Sequence, residues 1–267
     1  MIGHPVAHSL SPSMQNAAFR AAGRNAAYVA LDVPPPRLAE ALAGLHAAGF
    51  AGLNVTLPHK EEALRLSISA TAGARAAGAA NTLRWAAEGW EADATDGPGL
   101  LAWLAALRIP AAGARVLVAG AGGASRSVAA ALASGGAAAV TIVNRTPERA
   151  AAVAAAARQV AGPDARVDTA PWGGAGESSG VFDFLVRAVS VEEVAAEERR
   201  WWGRVSPGGA VLDLNYGSRA RAAREEARTM GIRFEDGLAL LVEQGALSYE
   251  FWTGDPAPRR AMREALG

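Results

Sequence analysis

An apolar segment that ends in a glycine-rich turn constrains the fold of this 267-residue chain more than any other feature. The stretch ARVLVAGAGG, residues 114–123, predicts a buried strand that runs into a tight turn. ASRSVAAALASGG, residues 124–136, predicts the helix that follows, and AAVTIVNRT, residues 138–146, predicts the next strand. A strand, a helix and a second strand in succession indicate a parallel sheet with helices on both faces.

The same alternation extends over most of the chain and predicts two α/β domains with a cleft between them. We expect the first domain at residues 1–97, with C-terminal helices at 237–267 packing back on it. The second domain, residues 98–236, is expected to be a doubly wound Rossmann domain. The stretch APWGGAGESSG at 170–180 predicts a loop.

The first domain carries its own strand and helix signals. Ser11 followed by Pro12 predicts a helix start with Ser11 as the N-cap. The other predicted elements are a strand at 27–33, a helix from Leu38 to about Gly49, a strand at 50–57, a strand or hairpin at 83–90, and a last helix at 256–266.

Composition excludes several classes of protein. The 26 basic residues equal the 26 acidic ones, so no charge excess favours nucleic acid or an anionic membrane as a partner. The chain has no cysteine, which excludes disulfides and thiolate metal sites. The four histidines lack the clustering of a metal site, and residues 1–12 do not resemble a secretory signal. We therefore expect a cytoplasmic protein, monomeric or homodimeric, without a metal.

The glycine turn predicts a dinucleotide site. Gly120 permits the tight turn, and Gly122 lets the backbone approach a pyrophosphate at the start of the following helix. The third glycine of this pattern is replaced by Ser125, which is still small enough for a helix to pack closely on the sheet. An ordinary strand–helix turn is the alternative interpretation.

The end of the next strand favours NADP(H) over NAD(H). An acidic residue at that position would bind the ribose 2′-hydroxyl of NAD, but the strand ends in VNRTPER without one at its tip. Arg145 and Arg149 present forked donors suited to a 2′-phosphate, and Thr146 adds a hydroxyl. Glu148 lies between the arginines and is expected to pair with them.

A lysine occupies an unfavourable place in GLNVTLPHKEEAL, residues 52–64. The segment predicts a strand followed by a helix that has Pro58 near its first position, which puts Lys60 in the opening turn. Cations are disfavoured there by the helix dipole, so Lys60 is a candidate for proton transfer with a neighbouring carboxylate. A surface lysine is the alternative. Asp96 is a candidate carboxylate, or else a turn former or helix cap.

Taken together, these motifs resemble the shikimate dehydrogenase family over nearly the whole chain. The segments that carry the resemblance, in family order, are GHPVAHSLSPSMQNAAF (3–19), NVTLPHK (54–60), GAANTL (78–83), TDGPG (95–99), GAGGASRS (120–127), NRTPERA (144–150) and DGLALLVEQGALSYEFWTG (236–254).

The resemblance implies a role for each matching residue. Lys60 and Asp96 would be the catalytic pair in a reversible, NADPH-dependent reduction of 3-dehydroshikimate to shikimate, a step of aromatic amino-acid biosynthesis. The residues implied to bind substrate are Ser9, Ser11, Thr56, Asn81, Tyr216 and Gln244. Those implied to bind the cofactor are Gly120, Ala121, Gly122, Gly123, Ala124, Asn144, Arg145, Thr146, Arg149 and Gly237.

Departures from the family pattern leave alternatives open. Ala94 replaces an asparagine beside Asp96, and Arg187-Ala188-Val189-Ser190 replaces an Asn-Ala-Thr-Ser turn. Arg187 is expected to be a surface arginine or a cofactor phosphate contact. The alternatives are a quinate/shikimate dehydrogenase of the same fold, a non-catalytic NADP-binding regulator, or a different Rossmann dehydrogenase.

Overall fold

The structure is a computed structural model that describes residues 1–174 and 180–267. It divides into two compact units, one formed by Met1–Leu100 with Leu241–Gly267 and the other by Leu101–Leu240. Both boundaries fall inside helices, a few residues beyond the boundaries predicted from the sequence. No helix within the described residues is long and apolar enough to span a bilayer.

The first unit contains a two-stranded and a four-stranded sheet. Its strands are β1 (Ile2–Gly3), β2 (Leu31–Asp32), β3 (Gly52–Asn54), β4 (Ser69–Ala70), β5 (Thr82–Ala86) and β6 (Gly89–Asp93). The parallel pair β1–β2 forms the small sheet, and the larger one has the order β3-β5-β6-β4. β5 and β6 form the antiparallel hairpin allowed for by the sequence. The strand predicted at 27–33 is reduced to β2.

Five α-helices begin within Met1–Leu100, and the last of them continues into the second unit. They are α1 (Ser11–Ala21), α2 (Leu38–Ala47), α3 (Lys60–Arg65), α4 (Ala72–Ala77) and α5 (Asp96–Leu107), with a 3-10 turn at Pro35–Arg37. One apolar cluster, which includes Leu38, Leu53 and Leu83, packs α2 onto the four-stranded sheet. This burial fixes β3 and, through Ala63 of the same cluster, α3, which begins at Lys60.

The second unit is a single sheet of six parallel strands. The strands are β7 (Arg115–Ala119), β8 (Ala139–Asn144), β9 (Arg166–Pro171), β10 (Phe182–Arg187), β11 (Val205–Asp213) and β12 (Arg233–Asp236). Their spatial order is β12-β11-β10-β7-β8-β9, so the order reverses between β7 and β10. This is the doubly wound dinucleotide-binding topology, in which ligands bind beyond the carboxyl ends of the strands at the reversal point.

Four helices lie wholly within the described part of the second unit, and the first of them matches the helix predicted at 124–136. They are α6 (Gly123–Ser134), α7 (Pro147–Val160), α8 (Ala196–Trp202) and α9 (Arg221–Met230), with a 3-10 turn at Gly217–Ala220. The chain ends with α10 (Leu238–Thr253), which begins in this unit, and α11 (Arg259–Glu264) in the first unit.

Some predicted boundaries are wrong for physical reasons. Strand β12 was missed because its short sequence RFED is mostly charged, and it forms only by pairing with β11 at the sheet edge. Ala170 and Pro171 belong to β9 rather than to the predicted loop at 170–180. Residues 175–179 of that loop lie outside the described residues.

Candidate active site

Lys60 is the first residue of α3, so its predicted place in the opening turn is confirmed. Pro58 lies before the helix, and His59 rather than the proline directly precedes it. A ring nitrogen of the buried His59 lies 2.7 Å from the carbonyl oxygen of Val33, which anchors the helix start. Lys60 is also the only lysine in the sequence, and the remaining 25 of the 26 lysine and arginine residues are arginines.

Lys60 and Asp96 form an ion pair that is almost removed from solvent. The Nζ atom of Lys60 donates to Oδ2 of Asp96 at 2.6 Å, and the two side chains are 11% and 12% exposed. Asp96 begins α5, where the helix dipole favours a carboxylate. The same dipole effect disfavours Lys60 in α3, so the carboxylate of Asp96 offsets an otherwise unfavourable placement.

Asn81 holds the free oxygen of Asp96. Its Nδ2 atom donates to Oδ1 of Asp96 at 3.0 Å, to Oγ1 of Thr95 at 2.9 Å and to Oε1 of Gln244 at 3.2 Å. Its Oδ1 atom accepts the backbone N–H of Thr95 at 2.8 Å. The fold therefore brings Lys60, Asn81, Asp96 and Gln244 together from separate segments of the first unit.

Ala94 stands where the family pattern has an asparagine, yet Asp96 still has an amide donor. Ala94 is buried in an apolar cluster with Ala74 and Ala77. A polar amide would be poorly placed in that cluster, whereas Asn81 supplies an amide to Asp96. The substitution thus provides no structural reason for a non-catalytic protein.

A buried polar network, which the sequence did not predict, joins this group to Ser11. The Tyr28 hydroxyl donates to Oδ1 of Asn54 at 2.7 Å and also hydrogen-bonds the Ser11 side chain. Nδ2 of Asn54 donates to Oγ of Ser248 at 2.9 Å, and Ser248 contacts Thr82 at 2.7 Å. Burial raises the pKa of Tyr28, which keeps the phenol neutral.

Ser9, Ser11 and Thr56 lie near the start of the chain's first helix and the end of its third strand. The N–H of Ser11 donates to the Ser9 hydroxyl at 3.2 Å, and α1 has no side-chain N-cap, so the prediction of Ser11 as N-cap is wrong. Thr56 donates its N–H to the Ile2 carbonyl at 2.9 Å. A Cβ on Gly3 would lie 2.3 Å from the Thr56 methyl group, so a larger residue at position 3 would displace the Thr56 side chain.

In the second unit, Gly120 follows β7 at the point where the strand order reverses. Its φ of +117° lies in the region that favours glycine, and a Cβ would lie 2.3 Å from the Ala188 carbonyl oxygen. Ala188 follows β10 and donates its N–H to the Ala119 carbonyl at 2.7 Å. Gly120 is therefore required by the close approach of two backbones.

Gly122 has a different role. It is the N-cap of α6, with φ of −89°, a conformation open to any residue. Apart from Gly122 itself and its two chain neighbours, no described residue has an atom within 4 Å of a Cβ placed there, so the fold itself does not require glycine. The open space faces a helix N-terminus, which is suited to a pyrophosphate. Ala121, Gly123 and Ala124 complete the turn, and the group as a whole fits a dinucleotide.

The basic residues after β8 are free to bind an anion. Arg145 and Arg149 are exposed, and within the described ranges neither forms an ion pair, with Glu148 or with another carboxylate. The expectation that Glu148 would pair with them is wrong. Asn144 donates from Nδ2 to the Thr146 carbonyl at 3.1 Å, and Thr146 is the residue before α7.

Gly237 and Tyr216 also lie in the second unit. A Cβ on Gly237 would lie 2.4 Å from the Leu214 carbonyl oxygen, so the close backbone approach accounts for this glycine. Tyr216 is half-buried directly before the 3-10 turn. The other predicted substrate-binding residues lie in the first unit.

Arg187 contradicts both expectations for it. It is neither on the surface nor available to a phosphate, because its side chain is 0% exposed and paired with Glu198 and Asp213. The sequence did carry a signal for this cluster. A cation ends the apolar strand FDFLVR and an anion ends the neighbouring strand AVLD, so parallel pairing places them side by side.

The two units thus define an α/β protein that combines a dinucleotide-binding sheet with a buried lysine–aspartate pair. Family models match three segments. The shikimate dehydrogenase substrate binding domain matches residues 1–83, the shikimate / quinate 5-dehydrogenase model matches 104–168, and the shikimate 5'-dehydrogenase C-terminal domain matches 237–266. The chain is 44% identical over 266 residues to the shikimate dehydrogenase (NADP(+)) of Anaeromyxobacter dehalogenans, covering 100% of this chain and 94% of that protein. The chain belongs to the shikimate dehydrogenase family.

Solved structures share the whole fold. The shikimate 5-dehydrogenase of Thermus thermophilus, in complex with NADP(H) and shikimate, is 35% identical with a TM-score of 0.84, and the match covers 99% of this chain and 96% of that one. The 5-ketofructose reductase of a Gluconobacter species is 32% identical with a TM-score of 0.82, over 99% of this chain and 95% of that one. The same fold therefore occurs in a 5-ketofructose reductase as well as in shikimate dehydrogenases, so the argument for a substrate depends on the residues of this chain.

Proposed function

We propose that this protein catalyses the reversible, NADPH-dependent reduction of 3-dehydroshikimate to shikimate, a step of aromatic amino-acid biosynthesis. The observation that carries the proposal is the buried pair of Lys60 and Asp96, whose free carboxylate oxygen is held by Asn81. A ketone that becomes a secondary alcohol needs one positioned proton donor, and this pair provides it.

The chemistry of the pair follows from its surroundings. Lys60 is proposed to donate the proton to the 3-oxygen during reduction and to remove it during oxidation. Asp96 holds the Lys60 side chain through its Oδ2 atom and balances its charge. Asn81 fixes the carboxylate, so the ammonium group points in one direction. NADPH, when bound, supplies the hydride.

The substrate carries a carboxylate and several ring hydroxyls, which call for neutral hydrogen-bonding groups. Ser9 and Ser11 are proposed to bind the carboxylate, with Tyr216 near it, while Thr56, Asn81 and Gln244 bind ring oxygens. Two of these, Asn81 and Gln244, already touch at 3.2 Å beside Asp96. This hydroxyl and amide set favours a polyhydroxylated acid over an apolar ketone.

The cofactor is proposed to lie along the turn formed by Gly120, Ala121, Gly122, Gly123 and Ala124. The open space at Gly122 and the start of α6 support a pyrophosphate at this place. Arg145 and Arg149, which pair with no carboxylate among the described residues, support a 2′-phosphate and hence NADP(H). The remaining proposed contacts are Asn144, Thr146 and Gly237.

The test is to follow NADPH by its near-ultraviolet absorbance. Purified protein is mixed with shikimate or quinate, each with NADP⁺ or NAD⁺, and separately with NADPH and 5-ketofructose. We expect NADPH formation with shikimate and NADP⁺ at a rate well above every other combination. Comparable rates with quinate would instead indicate the broader quinate/shikimate activity. Binding of NADP⁺ without turnover of any substrate would indicate the non-catalytic regulator and refute the proposal.

A cytoplasmic location and a monomeric or homodimeric state stay predictions. Cell fractionation tests the first, and light scattering coupled to size-exclusion chromatography tests the second.

A further inference from the structure

A buried charge cluster lies at the end of β10, outside the residues proposed above. Nε of Arg187 donates to Oε2 of Glu198 at 2.7 Å, and Nη1 donates to Oδ2 of Asp213 at 3.1 Å. Arg187, Glu198 and Asp213 all have fully buried side chains. The three groups come from β10, α8 and β11, so the cluster joins a helix to two adjacent strands.

Stability of the fold is a weak explanation for such a cluster. The cost of removing charges from water can exceed the attraction between them, and well-packed apolar side chains of similar volume often serve equally well. Here one guanidinium group also pairs with two carboxyl groups. A more specific explanation must involve what Arg187 binds besides the carboxylates.

Arg187 also holds the segment that follows β10. Its Nη2 atom donates to the carbonyl oxygens of Val191 and Glu193, both at 2.9 Å. Asp213 acts on the same segment through Asn215. Oδ1 of Asp213 accepts from Nδ2 of Asn215 at 2.9 Å, and that Nδ2 also donates to the Val189 carbonyl at 2.9 Å.

This segment, residues 188–193, is thus fixed by side chains rather than by regular secondary structure. Arg219 adds a further donor to the Ser190 carbonyl at 2.8 Å. The carbonyl groups of this segment lie outside any helix or strand, so they need such donors. A buried polar group without a hydrogen-bond partner is costly, because water cannot replace the missing partner. Loss of Arg187 would free two of the carbonyls at once.

The segment also sets the position of the dinucleotide turn. Its first residue, Ala188, donates its N–H to the Ala119 carbonyl, and its own carbonyl oxygen would lie 2.3 Å from a Cβ on Gly120. The contact occurs at the reversal of strand order, where this topology binds ligands. A shift of segment 188–193 would therefore be passed directly to Gly120 and to the turn that leads into α6.

We infer that Arg187 is a positioning residue for the cofactor: with Glu198 and Asp213 as its supports, it fixes segment 188–193 against Gly120 and so maintains the affinity for NADP(H). The inference rests on the proposed function insofar as the second unit must bind NADP(H). Arg187 itself touches no proposed ligand atom, and its action runs through the backbone of Ala188.

The experiment measures NADP⁺ binding by calorimetry and kinetic constants for the full chain, in wild type and in Arg187→Lys. Lysine keeps the charge but cannot span both carboxylates and both carbonyls. We expect the Kd and KM for NADP⁺ to rise about tenfold, the effect of losing roughly one charge-assisted hydrogen bond at the site. The KM for shikimate should stay within about twofold, since all the proposed shikimate-binding residues except Tyr216 lie in the first unit.

Arg115→Lys is the matched control. Arg115 begins β7, at the opposite end of the strand from Gly120, and forms a half-exposed pair with Asp183. We expect this variant to bind NADP⁺ as wild type does. A purely structural role for Arg187 would lower the melting temperature and leave NADP⁺ affinity unchanged, and that result overturns the inference.

A second variant covers the case in which Arg187→Lys fails to fold. The triple variant Arg187→Met, Glu198→Gln, Asp213→Asn removes all three charges at similar volume, which buried clusters tolerate. We expect it to fold and to bind NADP⁺ about tenfold more weakly, because the carbonyls of Val191 and Glu193 remain unheld. Wild-type affinity in this variant overturns the inference. Failure of the wild-type protein itself to bind NADP⁺ refutes the proposed function instead.

Discussion

Two glycines of the cofactor turn allow the requirements of the fold to be separated from those of the ligand. Gly120 is needed by the fold, since an added Cβ would lie 2.3 Å from the Ala188 carbonyl oxygen and φ is +117°. Gly122 is free of both constraints, with φ of −89° and open space around it. The variants Gly120→Ala and Gly122→Ala should therefore fail in different ways.

The magnitude for Gly120→Ala follows from the two penalties. Backbone strain in this region costs about 1–3 kcal/mol, and forcing a methyl group against a backbone oxygen costs about 1–3 kcal/mol more. The opposing backbone can relax in part, so we expect unfolding to be easier by roughly 2–4 kcal/mol in total. In a chain of this size that lowers the melting temperature by roughly 5–15 °C.

Gly122→Ala should leave stability within about 1 kcal/mol of wild type. Alanine is a poorer N-cap than glycine, but it also restricts the unfolded chain, and the two effects oppose each other. Its methyl group enters the space proposed for the pyrophosphate, so NADP⁺ affinity should fall at least about tenfold. Urea denaturation and calorimetry measure the two effects. Wild-type NADP⁺ affinity in Gly122→Ala, or wild-type stability in Gly120→Ala, would refute the reasoning.

Three further predictions follow from other parts of the molecule. The double variant Arg145→Ala, Arg149→Ala should reduce the preference for NADP⁺ over NAD⁺ by about 10²–10⁴-fold, since it removes two charged hydrogen-bonding groups that are each worth roughly 1.5–3 kcal/mol. The control Glu148→Ala should keep the preference, and an unchanged preference in the double variant would refute the 2′-phosphate site. Tyr28→Phe should raise the KM for shikimate and destabilise the fold by about 1–3 kcal/mol, because the Ser11 hydroxyl and the Asn54 amide lose their hydrogen bonds to the phenol. Steady-state kinetics and urea denaturation measure the two effects, and wild-type values for both would contradict this role of the network. Burial raises the pKa of Asp213, against the opposing effect of the neighbouring guanidinium, so the folded state binds this proton more readily than the unfolded state. The resulting stability is full below the unfolded pKa of about 3.9 and is lost as pH rises through the raised folded pKa. The unfolding free energy of wild type, relative to that of Asp213→Asn, should therefore fall as pH rises above about 4. A relative unfolding free energy that rises with pH would contradict the raised pKa of Asp213.

The sequence predicted the parallel sheet and the glycine turn because both depend on local patterns. Apolar runs broken by glycine are visible without tertiary information, and β7, α6 and β8 lie where those patterns place them. Lys60 was found through its conflict with the helix dipole. The sequence also carries a stronger signal, which is that Lys60 is the only lysine among the 26 lysine and arginine residues. A single lysine among arginines supports the proposed proton transfer, because an arginine does not release its proton near neutral pH.

The contacts between distant segments could not be predicted in this way. Asn54 and Ser248 are far apart in sequence, and their hydrogen bond exists only because α10 packs against β3 and β5 within the first unit. The burial of Arg187 likewise depends on the pairing of β10 with β11 and on the position of α8. Propensity and periodicity describe single elements, whereas these sites are made by several.

The central claim is that Lys60 transfers a proton, and Lys60→Arg tests it most directly. Arginine keeps the positive charge and can still pair with Asp96, but it does not release a proton near neutral pH. Arg65→Lys, an exposed substitution on the same helix, is the control. We expect kcat for shikimate oxidation to fall by about 10²–10⁴-fold in Lys60→Arg, with NADP⁺ affinity unchanged. A Lys60→Arg protein that oxidises shikimate at the wild-type rate would contradict the account.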